Sequence, residues 1–309
     1  MIARLNLPSR AAARRGISGS ALIVVLWALM VLTAAIVAWA SWIYQDLVVA
    51  GEANLGFEAR AMAHSGIAVA FNPGVSKFTP LLTHDFTPMM GYQVSIISEG
   101  GKLNINWVLQ GEDPNKLAIF KKWLELRGLN IQEREILTDS LLDWVEPSDL
   151  RHLNAVKETD DYHPAHRPLL TVEEITQVGG SAPLVKTPGW RDQLTVFSQG
   201  PIDLANAPIE ILRLIPNIGE PQIERFVQYR SGPDRIFGTI DDPQFKSLEE
   251  VYSFLGVSQN AQQVLGSLVT VNDATLRISS TGKSGKVVRQ LDVVARKSGA
   301  NPQIFYWKE

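Results

Sequence analysis

The stretch ALIVVLWALMVLTAAIVAWASWI, residues 21–43, decides the organisation of this chain. It contains no charged side chain, and it is long enough to cross a bilayer as a helix, which takes about 20 apolar residues. A helix in the core of a globular protein seldom runs this far without a charge, and the apolar region of a secretory signal peptide is shorter. We therefore predict one N-terminal transmembrane helix.

The charges on either side of this stretch predict its orientation. Four arginines and no acidic residue precede it, and the next charged residue after it is Asp46. Basic residues next to a transmembrane helix favour the cytoplasmic side of the membrane. We expect the N-terminus in the cytoplasm and the bulk of the chain outside it. The arginines are Arg4, Arg10, Arg14 and Arg15.

The helical pattern continues beyond the membrane to Phe71, and Asn72-Pro73-Gly74 ends it. This predicts a helix of about 50 residues, about 75 Å long. Its soluble half carries more apolar residues than one face of a globular helix requires. We expect some of them to pack on the protein's own sheet and the others to meet helices of partner proteins. The residues assigned to this partner surface are Leu47, Leu55, Phe57, Ile67 and Phe71.

Strand patterns flank a helical block in the remainder of the chain. Residues 91–107 predict a hairpin with its turn at Glu99–Lys102, and strand patterns return from Thr275 to the C-terminus, with a turn at 279–285. Between them, helical patterns dominate, and the stretches 103–145 and 202–219 are a candidate internal repeat. The order predicts an α+β protein with a helical domain inserted into its sheet.

The composition excludes several classes of function. The chain has 309 residues, a net charge of −3 and no cysteine. It therefore has no overall positive charge to attract nucleic acid, and it can form neither disulfides nor thiolate metal sites. No catalytic set of residues emerges, and we expect a protein that is not an enzyme.

Three motifs, in this order, resemble those of one family. The first is Arg14-Arg15 followed by Gly19-Ser20 and the apolar run; the second is GGKLNINW, residues 100–107; the third is LLDWVEPSD…TDDYHPAHRPLLTVEEI, residues 141–175. Together they resemble the general secretion pathway protein K family, the minor pseudopilins at the tip of the type II secretion pseudopilus.

The resemblance implies processing by prepilin peptidase between Gly19 and Ser20, with Gly16 as a second candidate cleavage point. Cleavage after Gly19 makes Val24 the fifth mature residue. Most pseudopilins have glutamate at this position, where it is thought to neutralise the N-terminal amine of a neighbour within the lipid. The protein K family lacks that glutamate, so Val24 agrees with the resemblance.

The resemblance also implies a pilin-like α+β fold, in which the long helix packs on an antiparallel sheet that carries a large inserted all-α domain. The five expected parts are the leader 1–19, the helix 20–72, the first strands 73–108, the inserted domain 109–271 and the closing strands 272–309.

The implied function is assembly. A single-pass protein of the inner membrane, with its bulk in the periplasm, would join other minor pseudopilins in a tip complex. It would cap the pseudopilus and help to initiate it for the export of folded proteins. No nucleic-acid partner is expected.

Acidic residues in the third motif suggest a calcium site. Calcium takes six to eight oxygen ligands, often from a flexible loop, and the resemblance implies calcium in the inserted domain. A solvated acidic loop is the alternative. His152, His163 and His166 lie nearby in sequence and leave a zinc site or a polar surface loop open. The acidic residues of the segment are Asp143, Glu146, Asp149, Glu158, Asp160 and Asp161.

Residues 202–230 also resemble a helix-hairpin-helix module, whose hairpin offers backbone N–H groups to DNA phosphates. The alternative function is therefore a membrane-anchored DNA-binding protein of competence type. Against it, Glu220 adds a negative charge and Pro221 lacks an N–H donor just where a phosphate would bind.

Overall fold

A computed structural model of the chain describes residues 18–148, 151–297 and 302–309, with side chains from residue 21 onward. These residues belong to two compact units, one that ends at Phe57 and one that runs from Glu58 to Glu309. The helices are α1 (Ser18–Phe71), α2 (Ile105–Leu109), α3 (Pro114–Leu126), α4 (Ile131–Val145), α5 (Ala182–Val185), α6 (Ile209–Leu212), α7 (Glu220–Arg230), α8 (Leu248–Leu255) and α9 (Gln259–Leu265). The strands are β1 (Thr83–Thr87), β2 (Met90–Ser98), β3 (Leu103–Asn104), β4 (Leu194–Thr195), β5 (Ile202–Asp203), β6 (Val269–Thr270), β7 (Thr275–Ser284), β8 (Val287–Arg296) and β9 (Gln303–Lys308). Short 3₁₀ helices lie at Pro80–Leu82, Gln110–Glu112, Val172–Gln177 and Arg191–Gln193.

The first unit consists of helix α1 up to Phe57. Ala21–Phe71 is long and apolar enough to cross a membrane, and the side chains of residues 21–50 are exposed. Exposed apolar side chains on a helix of this length suit a lipid environment, where the backbone is satisfied within the helix itself. The helix ends at Phe71, directly before the expected break at Asn72-Pro73-Gly74.

An antiparallel sheet of five strands, in the order β1-β2-β7-β8-β9, organises the second unit. Strand β2 alternates between the buried Tyr92 and Val94 and the exposed Gln93 and Ser95, which is the period of a strand with one covered face. Residues 58–71 of α1 cover that face. They build a core with the strands from Ala63, Ile67, Ala70, Val94, Ile278, Leu291 and Val293.

Helix α1 and strand β7 approach each other closely at Gly282. A Cβ atom there would overlap the carbonyl oxygen of Ala59 and the backbone nitrogen of Ala63. Nearby, the hydroxyl of Ser284 donates to the carboxylate of Glu58 over 2.6 Å. Small residues on both elements therefore let the helix lie directly on the sheet.

The chain leaves the sheet after Ser98 and returns at Thr275, on two neighbouring strands. The sequence predicts bounds of 109 and 271 for the inserted domain, whereas the chain between these two strands runs from residue 99 to residue 274. At the same end of the sheet, the Lys297 ammonium group donates to the carbonyl oxygens of Ala70 and Val75, beside the C-terminus of α1. The inserted domain is therefore attached to the end of the sheet at which the helix ends.

The inserted domain has its own core, which contains Phe120, Trp123, Trp190 and Phe226. Its helices begin where the sequence supplies caps: Asp113 accepts from two backbone N–H groups at the start of α3, and Asn130 forms a capping box with Glu133 at the start of α4. In each of the two candidate repeats, a short strand precedes helices and pairs in parallel with a later strand, β3 with β4 and β5 with β6.

Two local predictions are wrong. The expected hairpin at 91–107 does not form, because β2 pairs with β1 and β7, whereas Leu103–Asn104 pairs with Leu194–Thr195 in the inserted domain. The expected turn at 279–285 is mostly strand: β7 continues to Ser284, since it hydrogen-bonds to neighbours on both sides. The polar and glycine-rich residues 279–285 are typical of a turn, but most of them belong to a strand in the middle of the sheet.

Candidate assembly surface and inserted domain

The residues assigned to the partner surface of α1 fall into two groups. Leu47 is 66% and Phe57 is 70% exposed, and Leu55 is half-buried. Ile67 is only 2% exposed and lies in the core under the sheet, and Phe71 packs against the same core. The assignment of Ile67 to a partner surface is therefore wrong, because the protein's own sheet covers it. Leu47 and Phe57 are available to a partner.

The sheet and the inserted domain are joined by a buried carboxylate, Glu99. This side chain is fully buried, and it accepts from Arg277 of β7 over 2.6 Å, from Lys102 over 3.0 Å and from the Thr195 hydroxyl of β4 over 2.5 Å. Burial acts to raise the pKa of Glu99, but the charges of Lys102 and Arg277 outweigh it and lower the pKa below its ordinary value. The carboxylate is therefore ionised and links three segments.

The predicted calcium ligands that the structure describes do not form one close group. Asp143 is buried at the end of α4, whereas Asp160 and Asp161 are exposed in the loop that follows, and no group of close carboxylates among the described residues includes either loop aspartate. Glu146 approaches Glu112 and His152 instead, and Asp149 lies outside the described residues. Calcium binding by the segment 143–161 therefore stays a prediction.

His152 lies between two carboxylates of this region. The Nδ1 atom of His152 lies 2.5 Å from Asp143 Oδ1, and its Nε2 atom lies 3.3 Å from Glu112 Oε2. Burial acts to lower the pKa of His152, but its hydrogen bonds with Asp143 and Glu112 outweigh this effect and raise the pKa. The imidazole ring thus lies between the carboxylates of Asp143 and Glu112 and contacts both. Sequence analysis missed Glu112, which lies far from the acidic segment in sequence.

The other two histidines contact acidic or backbone oxygens. His163 lies 3.6 Å and His166 lies 3.7 Å from the carboxylate of Glu158, and His166 Nδ1 lies 2.8 Å from the carbonyl oxygen of Glu146. The three histidines do not form a common metal group among the described residues.

A second group of acidic side chains lies in the loop after α7. The carboxylates of Asp234, Asp241 and Asp242 each place an oxygen atom within 4.8 Å of the others. Oxygen-only ligands on a loop are the donor set that calcium prefers. Of the described acidic groups, this loop fits calcium better than the group that includes His152.

The hairpin between α6 and α7 has its N–H and charge partners within the protein. Gly219 donates its backbone N–H to Gln222 Oε1 over 2.7 Å, and Arg213 pairs with Glu220. The Gly219 N–H, which a DNA phosphate would use, is therefore already engaged, and the Arg213 guanidinium group is paired with a carboxylate.

The proposed cleavage residues stand at the start of α1. Gly19 and Ser20 lie within its first helical turn, Val24 is exposed on the helix, and residues 1–17 of the leader lie outside the described residues.

The architecture matches that of a known assembly. A chain of the crystal structure of the GspK-GspI-GspJ complex, from the type 2 secretion system of enterotoxigenic Escherichia coli, superimposes with a TM-score of 0.59. The match covers 87% of this chain and 97% of that chain, at 11% sequence identity. This chain has a pseudopilin-like fold with a helical insert. The fold expected from the sequence, with its long helix, antiparallel sheet and inserted domain, is confirmed.

No protein-family model matches the sequence, and no curated protein matches it.

Proposed function

We propose that this protein is a minor pseudopilin of a type II secretion system. The observation that carries the proposal is the combination of three parts in one chain: an apolar N-terminal helix, a pilin-like sheet under its C-terminal end, and a helical domain inserted between neighbouring strands β2 and β7. The GspK-GspI-GspJ complex contains a chain with this fold, and it supports other minor pseudopilins as partners.

The proposed role is to cap the tip and to help initiate the pseudopilus. In a filament of pilin-like subunits, each subunit adds to the next through repeated helix contacts. The inserted domain is attached where α1 ends, beside Ala70 and Val75, and it spans the chain from Glu99 to Ala274. A domain of this size at that end would occupy the space that a further subunit needs.

The proposed topology places the N-terminus in the cytoplasm and the second unit in the periplasm, after cleavage by prepilin peptidase between Gly19 and Ser20. The apolar character of Ala21–Phe71 supports the membrane anchor, and the four arginines before it support the orientation. N-terminal sequencing of the protein from membranes checks the cleavage: Ser20 is expected as the first residue, Ile17 would move the site to Gly16, and Met1 would contradict processing.

Calcium binding by the inserted domain is a further part of the proposal. The ion would be held by Asp234, Asp241 and Asp242, and it would supply a positive charge that lets three carboxylates lie close together.

Deletion of the gene tests the function. We expect the strain to retain its exoproteins in the periplasm, and we expect the full-length gene to restore secretion when it is supplied on a plasmid. Secretion that is unchanged in the deletion strain would contradict the proposed role.

A further inference from the structure

A cavity of about 290 Å³ lies where the sheet meets the inserted domain. Strands β2 and β7 contribute Ile96, Ser98 and Leu276 to its wall, and the inserted domain contributes Arg230 and Phe237. The volume is at the lower end of the range for small-molecule sites, and the wall combines apolar surface with a few charged groups.

Arg230 is the most unusual residue of this wall, because it is only 4% exposed and forms no ion pair with a carboxylate among the described residues, although Asp203 and Asp242 lie near enough to act on its charge. Its Nη1 atom donates to the carbonyl oxygens of Leu204 and Ala205 over 3.2 and 3.3 Å. Its guanidinium carbon lies 4.6 Å from the ring centre of Phe237, and its Nε atom has no acceptor among the described residues. A buried guanidinium group is costly to desolvate, and an anion within the cavity would offset that cost through the part of the guanidinium group that lines the cavity.

Two lysines line the same cavity, and neither forms an ion pair with a carboxylate in the part of the chain that the structure describes. Lys77 lies 4.8 Å from the ring centre of Phe78, and the Lys297 ammonium group donates to two carbonyl oxygens. Burial lowers the pKa of Lys77, and it lowers the pKa of Arg230 to about 10. Asp203 and Asp242 act to raise both pKa values, but the effect of burial is larger.

The acidic groups near the cavity are engaged by neutral donors. Asp242 accepts from the backbone N–H of Gly238 over 2.6 Å, and Asp273 accepts from those of Gln199 and Thr275 over 2.9 and 2.6 Å. The third carboxylate, Asp203, does not line the cavity, and it accepts from Ala205, Asn206 and Asp273. The cavity wall thus has three cationic side chains and two carboxylates, and the carboxylate oxygens already have donors.

We propose that this cavity binds a small oxyanion, a carboxylate or a phosphate, whose oxygen atoms accept from Arg230 and are attracted by Lys77 and Lys297. A guanidinium group binds both kinds of oxyanion with directed N–H groups, and the two lysines add charge. Since the wall is built from both the sheet and the inserted domain, a bound anion would hold these two parts together.

The test is thermal unfolding of the full chain in a mild detergent, titrated separately with sodium acetate, sodium succinate and sodium phosphate. Sodium chloride keeps the ionic strength constant. We expect a saturable rise in Tm with at least one anion, of about 3 °C at tenfold excess over its Kd. Arg230→Met should abolish the rise, and Arg225→Met, an exposed arginine on the same helix, should retain it.

Lys77→Met provides a second variant in case Arg230→Met does not fold, because Lys77 is only half-buried and lies outside the inserted domain. We expect it to weaken anion binding at least threefold. A Tm that rises equally with chloride and with the three oxyanions, or a rise that survives in both Arg230→Met and Lys77→Met, would overturn the proposal.

Discussion

Glu99 is the residue at which the two parts of the second unit depend on each other. Its buried carboxylate connects β7 with β4 through Arg277 and Thr195. We expect Glu99→Gln to lower the free energy of unfolding at neutral pH by about 2 kcal/mol, since hydrogen bonds between charged groups are lost. Urea unfolding of the full chain in detergent measures this, with Glu224→Gln, at an exposed position of α7, as the control.

The pH dependence follows from the direction of the shift. The pKa of Glu99 is lower in the folded protein than in the unfolded chain. Its contribution to stability is therefore present above the unfolded pKa of about 4.3 and is lost as the pH falls through the folded pKa. The difference between wild type and Glu99→Gln should be largest at neutral pH and should shrink below about pH 4. A difference that stays constant over this range would contradict an ionised Glu99.

For single residues, the local sequence does not reveal partners that come from distant parts of the chain. Glu99 was assigned to a turn because Gly100, Gly101 and Lys102 follow it, and nothing local shows that Thr195 and Arg277 surround it in the fold. Asp143 was recognised as a special residue, but its partner His152 satisfies it without a metal. Arg230 gave no signal in the sequence, because a basic residue in the last turn of a helix is ordinary.

At the scale of elements, the packing of α1 on the sheet depends on Gly282. We expect Gly282→Ala to destabilise the second unit by about 3 kcal/mol, because the added methyl group would overlap the backbone of α1 at Ala59 and Ala63. Gly266→Ala is the matched control, since the nearest atom to its Cβ would be 3.4 Å away. Thermal unfolding of both variants gives the comparison. Equal Tm values for the two would show that helix and sheet do not approach so closely.

Elements with a strong periodic signal could be predicted, and those that depend on distant pairing could not. Helix α1 and the closing strands follow from apolar runs and alternation in the sequence. The sequence correctly predicts β3 as extended. It does not predict the partner of β3, because Leu194–Thr195 lies in a distant segment of the chain, and a hairpin with the preceding strand was expected instead. The same reasoning made β7 too short, since its polar residues 279–284 were read as a turn.

The loop after α7 is the element on which the calcium proposal rests. Calcium binds the folded loop better than the unfolded chain, so millimolar calcium should raise the Tm of the full chain in detergent by mass action. We expect Asp234→Ala with Asp241→Ala to abolish that rise, whereas Asp160→Ala with Asp161→Ala should retain it. Magnesium serves as the control ion. If only Asp160→Ala with Asp161→Ala removes the rise in Tm, the site lies in segment 143–161. If calcium does not raise the Tm of the wild type, the protein does not bind calcium.

The whole chain combines a helix that is long and apolar enough to cross a membrane with a sheet that residues 58–71 of α1 cover and a domain attached where α1 ends. Leu47 and Phe57 of α1 are exposed apolar residues, whereas Ile67 lies in the core under the sheet. The C-terminal part of α1, which contains Ile67, therefore belongs to the protein's own core. Under the proposed function, Leu47 and Phe57 would pack against the helices of partner pseudopilins.

The contact between these helices can be mapped cleanly, because the chain has no cysteine. Single cysteines at Leu47→Cys, Phe57→Cys and Leu153→Cys can each carry a photoreactive thiol reagent in the full-length protein in membranes. Leu153 is 88% exposed in the inserted domain and is the matched control for accessibility. Ile67→Cys would report on the buried face.

The most direct test of the central claim is therefore cross-linking of these variants in cells that also produce the prepilin-like proteins encoded beside this gene. Subunit assembly through α1 predicts that Leu47→Cys and Phe57→Cys form adducts with those proteins, and that Leu153→Cys and Ile67→Cys do not. If Leu47→Cys and Phe57→Cys yield no adduct with any such protein, or if Leu153→Cys yields the same adducts, the protein does not assemble as a minor pseudopilin through this helix.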